Sequence, residues 1–535
     1  MPKVQIKETY KSGSINYERD NFTVYIPVQK VSTANESEPA LYRTYNDLLL
    51  DNYTNLNFKA PIKYDDQDLN YLIARKLLEK GLPVLLEGID FIKVGTIYDF
   101  TATWLPTSGL YAGTVELIAK DIEGGDTKTY NQITVLTDDN PEFIGQSFYV
   151  STDAKIGSTQ VKLYSEISAE TPVEVPDILV SIDGYNKESL PIDFEKLQDK
   201  ALYNIRFLTL GNYIDKNLSL AMMECAANRK DSIALVDHIE DLSNIIANPS
   251  YESVSEQVGK VRTYFEQLVG HYENEIDPVT QVVNYVFVPD ISNDILKAVS
   301  ANTPWIDVTL NSIVREQGTS DIIVKDKEVK VIVPASFGYL SSFASAIKQN
   351  PQWYAIAGSF RGNIEELNDV TYNYTSADVE VLQGRSRVKE VELDGAGDNI
   401  GLAINPINKI IPFGYLINGN RTLYVESYED INRPSYKGIL SIRNLVCAIA
   451  KQLYYASKKY TFEPNTDVTY VNFESEITPL LDKMKSGLGI RGYKFTRLAT
   501  TAKGRISAKI SIKPIEPVED FDLTIELDDS IDIVE

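Results

Sequence analysis

The side chains most often recruited for catalysis are scarce in this chain. Histidine occurs twice in 535 residues, at His238 and His271. His238 follows the apolar run Ala234-Leu235-Val236-Asp237, which reads as a strand, and catalytic residues of open α/β sheets collect at strand ends. An imidazole placed there could act as a general base if a nucleophile and a carboxylate converged on it. No Ser/His/Asp or Cys/His set shows in the sequence, so the bland reading of both histidines is a packed or surface residue. Cys225 and Cys447 lie far apart and form neither a disulfide framework nor a Cys-rich metal site. Cys447 sits among Leu445, Val446, Ala448 and Ile449 and reads as core. Asp138-Asp139-Asn140 has part of a calcium loop's composition without its spacing, and reads as a turn. The glycine-rich acidic stretch from Gly395 to Gly401 lacks the Lys-Ser/Thr of a phosphate loop, and reads as a linker or turn. HExxH, Walker A and Rossmann fingerprints are all missing. No cofactor or metal site is expected.

Composition narrows the function classes further. Lys and Arg total 52 against 76 Asp and Glu, a net charge of -24. A chain this acidic repels phosphate backbones, which argues against nucleic-acid binding. The same charge opposes indiscriminate self-association, so any assembly must use geometrically matched contacts. The 33 tyrosines suit extensive interfaces, since each ring buries a large area while its hydroxyl stays wet. Two distant cysteines fit a reducing compartment. The start, Met1-Pro2-Lys3-Val4-Gln5-Ile6-Lys7, carries no apolar signal-peptide core, and no apolar run approaches the length of a membrane span.

The elements that must position any site follow from periodicity. Residues 1–20 are polar and mildly basic and read as an N-terminal arm, with Val4 and Ile6 as its strand-forming apolar pair. Phe22, Val24, Ile26 and Val28 alternate as a strand, and Leu41 to Leu50 reads as helical. Asp65 to Lys80 reads as a helix with Asp68 as N-cap, a Leu69/Leu72/Ile73/Leu77/Leu78 stripe and Gly81 as its stop. Pro83 to Leu86 is a short buried strand. Residues 21–90 thus form a first part of an α/β core. From 91 to 192, short Thr/Val/Tyr/Ile runs alternate with Gly/Asp/Asn/Pro turns, the signature of an inserted all-β outer domain. The core resumes over 193–513, with 244–300 as a candidate further insertion. Helices are expected at Leu218–Asn228, Val254–Val269, Tyr339–Lys348 and Ser441–Lys459. Another should begin at Thr478-Pro479 and end at Gly487. Arg505 to Lys513 alternates as a strand.

The C-terminal arm, 514–535, is the most informative segment. After Lys513 there is no Lys or Arg, and the acidic residues are Glu516, Glu519, Asp520, Asp522, Glu526, Asp528, Asp529, Asp532 and Glu535. Through this acidic stretch Phe521, Leu523, Ile525 and Leu527 keep strict alternation with Asp522, Thr524, Glu526 and Asp528. A solvated tail has no use for that pattern; a strand burying one face does. Pro514 and Pro517 separate it from the preceding strand, so it can reach another molecule.

The order of these segments resembles the contractile tail sheath proteins of myovirus-type phages. The opening strand and its sequel through Pro39 to Leu50, then Leu69 to Leu86, look like the family's start. Pro304-Trp305-Ile306-Asp307-Val308 looks like its Pro-Trp segment. Val333-Pro334-Ala335-Ser336, followed by Trp353-Tyr354-Ala355-Ile356-Ala357, resembles a later turn and its small-residue run. Ile404-Asn405-Pro406-Ile407, Asn418-Gly419-Asn420-Arg421-Thr422-Leu423 and Phe462-Glu463-Pro464-Asn465 follow in the family's order. The family's Ala-Pro-Ala is Ala355-Ile356-Ala357 here. The resemblance implies a discontinuous α/β core domain with an inserted all-β outer domain and extended N- and C-terminal strand arms.

In function it implies a non-enzymatic subunit of a virion tail, assembled in the bacterial host cytoplasm. Many copies would polymerise helically around an inner tail tube protein, meet baseplate and tail terminator proteins, and contract to drive the tube through the host envelope. Neither nucleic acid nor membrane insertion enters this picture. The arms (Val4 and Ile6; Phe521, Leu523, Ile525 and Leu527) would pair with neighbouring subunits. Lys483 and Lys485 are candidates for contact with the tube, or else a solvated helix face. The sheath of a bacterial contractile injection system is an alternative owner. An adhesin or carbohydrate-binding surface protein built on the β-rich insertion would leave both arms without a role. A hydrolase would need a pocket joining His238 to nearby carboxylates.

Overall fold

A computed structural model describes residues 22–29, 39–48, 69–89, 98–106, 113–121, 127–136, 148–150, 155–156, 159–160, 164–165, 173–180, 192–238, 254–276, 283–316, 323–383, 402–425, 435–498 and 506–518. The chain divides into two compact units: Met1–Gly88 together with Ile192–Glu535, and Ile89–Pro191.

The first unit is organised by an eight-stranded sheet. Its strands are β1 (Val24–Gln29), β2 (Ala40–Tyr42), β3 (Val84–Ile89), β4 (Phe207–Thr209), β5 (Ile233–Asp237), β6 (Val299–Thr303), β7 (Asn405–Ile410) and β8 (Gly414–Ile417), in the order β2-β3-β1-β4-β5-β6-β7-β8. From β1 to β7 the neighbours are parallel, whereas β2/β3 and β7/β8 at the margins are antiparallel. Parallel strands covered on both faces need apolar side chains on both, and period two sorts them. Val24, Ile26, Val28, Phe207, Ile233 and Leu235 enter one core, while Tyr25, Leu208, Ala234 and Val236 enter the other. The first core is covered by α1 (Leu69–Glu79) and α4 (Ala335–Ala346), the second by α2 (Lys216–Arg229), α3 (Val254–Val269) and α5 (Ser376–Leu382). Helix α2 starts on Asp215, whose carboxylate accepts from the N–H groups of Asn217 and Leu218, and α5 starts on a Thr375/Asp378 capping box.

A third core lies around α6 (Leu440–Lys459), α7 (Asp467–Ser486) and a two-stranded sheet of β9 (Ile490–Leu498) and β10 (Ser507–Pro514). A three-stranded antiparallel sheet and an antiparallel pair stand apart from the main sheet. Ile306–Glu316 pairs with Ile323–Val333 and with Leu367–Val370. Gly270–Ile276 pairs with Val283–Pro289, inside the stretch read as extra material. The second unit is a six-stranded antiparallel sheet in the order Tyr164–Ser165, Phe148–Val150, Thr127–Leu136, Gly113–Asp121, Tyr98–Pro106, Val173–Val180, with a small pair at Lys155–Ile156 and Thr159–Gln160.

Three elements differ from their sequence reading. Leu41 and Tyr42 belong to strand β2, and the helical turn occupies only 45–48 within the described residues. Helix α4 begins directly after Pro334, whose fixed φ suits the N-terminal boundary, so Ala335 to Gly338 are helical and buried. Helix α7 begins at Asp467 instead of Thr478, with Thr466 accepting from the Thr469 N–H; Pro479 stands inside it with its ring exposed.

Candidate assembly interface

The C-terminal module is held on the sheet by the segments that carried the resemblance. Asn405, buried on β7, donates to the Ser300 hydroxyl (3.0 Å) and to the carbonyls of Ala301 (3.2 Å) and Arg421 (2.8 Å). Its Oδ1 accepts the Arg421 N–H at 2.8 Å. One amide therefore grips both main-chain groups of Arg421. Gly419 must pass close by: a Cβ there would stand 2.6 Å from the Asn405 Oδ1 and 2.8 Å from its Cα. Asn420 then accepts the Ser441 N–H (3.0 Å), donates to the Ser441 hydroxyl (3.0 Å), and accepts the Leu440 N–H on its carbonyl (2.9 Å). These bonds satisfy orphan donors at the start of α6, which fixes where that helix begins.

From that seat α6 packs on α7 through Leu445, Ala448, Ile449, Ile477, Leu481 and Met484. The turn between the helices places Phe462 at φ 74 with its ring fully exposed. Val468 and Val471, on the first turns of α7, are 68% and 54% exposed. Trp353 closes the other end, donating to the Gly487 carbonyl at 2.8 Å. A Cβ on Gly487 or Gly489 would come within 2.9 Å or 2.8 Å of its indole, so both positions need glycine.

The β9–β10 sheet has two unlike faces. Tyr493, Phe495, Ile510 and Ile512 turn inward against the α6–α7 core. Lys494, Lys509 and Lys513 alternate with them and are exposed, and none forms an ion pair with a described carboxylate. Only the β9–β10 pairing is present among the described residues, which leaves one edge of each strand without a ladder partner. Such an edge templates strand addition, and two strands alone are marginal in water. The sequence reading missed a plain signal here. From Ile490 to Pro514 there are seven cationic residues, Arg491, Lys494, Arg497, Lys503, Arg505, Lys509 and Lys513, and no Asp or Glu. The acidic alternating segment follows directly.

Of the sequence-proposed residues, Lys483 and Lys485 lie exposed in the last turns of α7, alternating with buried Leu481 and Met484. Val4, Ile6, Phe521, Leu523, Ile525 and Leu527 lie outside the described residues, as does the Gly395–Gly401 stretch.

The groups considered for catalysis are occupied structurally. Asp237, at the end of β5, accepts the Ser336 N–H at 2.7 Å and so caps α4. Burial raises its carboxyl to about 7 against the pull of Ser336. His238 is buried edge-on to Tyr264 (5.6 Å between centroids), its carbonyl accepts from the Trp305 indole (3.0 Å), and burial lowers its imidazole to about 4. His271 instead meets Asp290 at 2.7 Å in the open. Among the described residues no group of three or more His, Cys, Asp or Glu could hold a metal, and no helix is long and apolar enough to cross a membrane. The raised Asp237 carboxyl makes a testable pH effect. Its stabilising contribution is complete below the ordinary 3.8 and is lost as pH rises through about 7. Wild type should therefore lose melting temperature relative to Asp237→Asn between pH 5 and about 8, with no further change above that. A difference independent of pH would contradict the assignment.

No protein-family model and no curated protein matches the chain. Solved structures do. It is similar to a chain in the PVC sheath complex of an extracellular contractile injection system in the contracted state, at 12% identity, over 95% of this chain and 92% of that one, with a TM-score of 0.47. It is likewise similar to a chain in the baseplate of the anti-feeding prophage (AFP), at 12% identity, over 95% of this chain and 94% of that one, with a TM-score of 0.49.

Proposed function

We propose that this chain is a contractile-tail sheath subunit, a non-enzymatic protein that polymerises helically around an inner tube. The observation that carries the reading is the β9–β10 sheet: open-edged among the described residues, apolar inside and cationic outside. The Phe521–Leu527 segment has the matching pattern, with apolar residues at alternate positions and Asp522, Glu526 and Asp528 between them. Added as a further strand by another copy, it would extend the apolar face beside Phe495 and Ile510 and set its carboxylates along the lysines. Main-chain bonds of about 1 kcal/mol each would accumulate along such a strand. The polar first arm, with Val4 and Ile6, would pair in the same way. A lattice linked by pliable arms can stay connected while its rigid cores rotate and move outward in contraction.

Negative-stain microscopy of the purified full chain tests this: hollow helical cylinders are expected, and persistent monomers at high concentration would refute it. The tube contact is separable from polymerisation. Lys483→Glu combined with Lys485→Glu should give cylinders of normal appearance that no longer co-sediment with the inner tube protein. Retained tube binding would remove these lysines from the contact. Baseplate and terminator proteins would cap the two ends. A virion tail assembled in the host cytoplasm is the favoured owner, and capsid genes beside this gene would distinguish it from a bacterial injection system.

A further inference from the structure

The joint between α6 and the sheet is built from buried cations. Arg443, Cys447 and Lys451 recur at four-residue spacing along α6, facing the entries to β4 and β5. Lys451, 2% exposed, donates to the Ile205 carbonyl (2.7 Å) and to the Asn204 side chain, and lies 3.9 Å from Asp231. Arg443 donates to the Ser232 carbonyl (3.4 Å), and the Cys447 thiol lies 3.6 Å from the same oxygen. Arg206, wholly buried, reaches from the sheet to the carbonyl and side chain of Asn444, and its Nε and Nη1 find no hydrogen-bond partner among the described residues. Arg229 donates to the carbonyls of Leu197 and Tyr203 and holds Asp231 at 3.2 Å.

Asp231 is the one carboxylate paired with these cations among the described residues, and Arg229 holds it more closely than Lys451 does. An ammonium buried here is short of counter-charge. A neutral amine is not, and it keeps two N–H groups, enough for both Ile205 and Asn204.

We propose that Lys451 is a proton-operated latch: as the neutral amine it closes α6 onto the entries of β4 and β5, and taking up a proton loosens that joint. The proposal does not depend on the assembly reading above. Burial, with Arg229 and Arg206 acting against Asp231, lowers the Lys451 amine from 10.5 to about 7. The other titratable groups facing the cluster are Lys200, lowered mainly by burial; Tyr339 and Cys225, each raised to about 12 mainly by burial; and the Cys447 thiol. For a lysine lowered in the folded state, stability is complete above 10.5 and is lost as pH falls through about 7. Opening the joint then requires proton uptake, so it becomes harder as pH rises.

Amide hydrogen exchange of the full chain between pH 7 and 8.5, expressed as protection relative to the unstructured rate, tests this. His238 has finished titrating in that window, and the remaining titration of Asp237, whose effect on stability has the opposite sign, is over by about pH 8. Protection of the α6 amides around Cys447 to Lys451 should rise by close to tenfold per pH unit, a one-proton dependence, while that of α1 stays flat. In Lys451→Met the α6 slope should vanish. Equal pH dependence of α6 and α1 in wild type would overturn the proposal, and so would a slope that persists in Lys451→Met. The wild-type comparison decides alone if the variant does not fold.

Discussion

A chain ending at Glu516 is expected to remain monomeric at concentrations where the full chain forms cylinders, with the unfolding of its core unchanged. The removed residues, 517–535, contain the whole alternating segment and eight of the nine carboxylates that follow Lys513. The β9–β10 sheet, with its inward Tyr493, Phe495, Ile510 and Ile512, stays in the truncated chain. The loss should therefore be of partner and not of fold. Adding back a peptide spanning 517–535 should occupy the vacant edge and give saturable binding that weakens with salt, since exposed charge pairs are screened beyond a Debye length of about 8 Å at physiological ionic strength. Analytical ultracentrifugation and microscopy read the first outcome; fluorescence anisotropy of the peptide reads the second. Cylinders of normal length from the truncated chain would exclude this arm from the lattice.

The second large effect concerns Asn405. Asn405→Ala removes the acceptor of the Arg421 N–H and the donor to its carbonyl, both buried, together with the bonds to Ser300 and Ala301. Buried polar groups that lose their partners cost about 1–3 kcal/mol each, so a destabilisation of ~3 kcal/mol or more is expected in urea unfolding of the first unit. The loss should be greatest at α6, because the neighbouring Asn420 holds that helix's first turn through Ser441. Hydrogen exchange in α6 should accelerate more than in α1. A loss under ~1 kcal/mol would mean that water replaces the side chain fully.

Periodic elements were legible in the sequence. Val254–Val269 is helical over the span its apolar spacing defined, and the strand ending at Asp237 lies where its apolar run placed it. The departures have physical causes. Pro479 read as a helix start because proline is best tolerated there. In the molecule, Ile477, Leu481 and Met484 bury one side of α7 while the proline ring faces out, and packing outweighs the lost backbone bond. Leu41 and Tyr42 have helical neighbours, yet pairing with Leu85 and Val84 holds them in a strand. In the candidate interface, the exposure of Lys483 and Lys485 followed from helical spacing alone. The cationic face of β9–β10 needed the pairing register, although its lack of carboxylates was visible in the sequence. Lys451 and Arg206 gave no sequence signal, because what makes them unusual is burial beside each other from positions 245 residues apart.

Strand β1 lies in the interior of the eight-stranded sheet, between β3 and β4, although it is the first described strand in chain order. Its parallel neighbour begins at Phe207, and the far margin of the sheet is not complete until Ile417. During synthesis, then, Val24–Gln29 and its β2–β3 flank leave the ribosome long before the β4 side of the sheet exists. The Ile89–Pro191 unit is contiguous, and among the described residues the strands of its six-stranded sheet pair only with one another. Long-range pairing is slow and local pairing fast, so the order of emergence favours an inserted unit that forms while the first strand of the core still waits for its parallel neighbour β4.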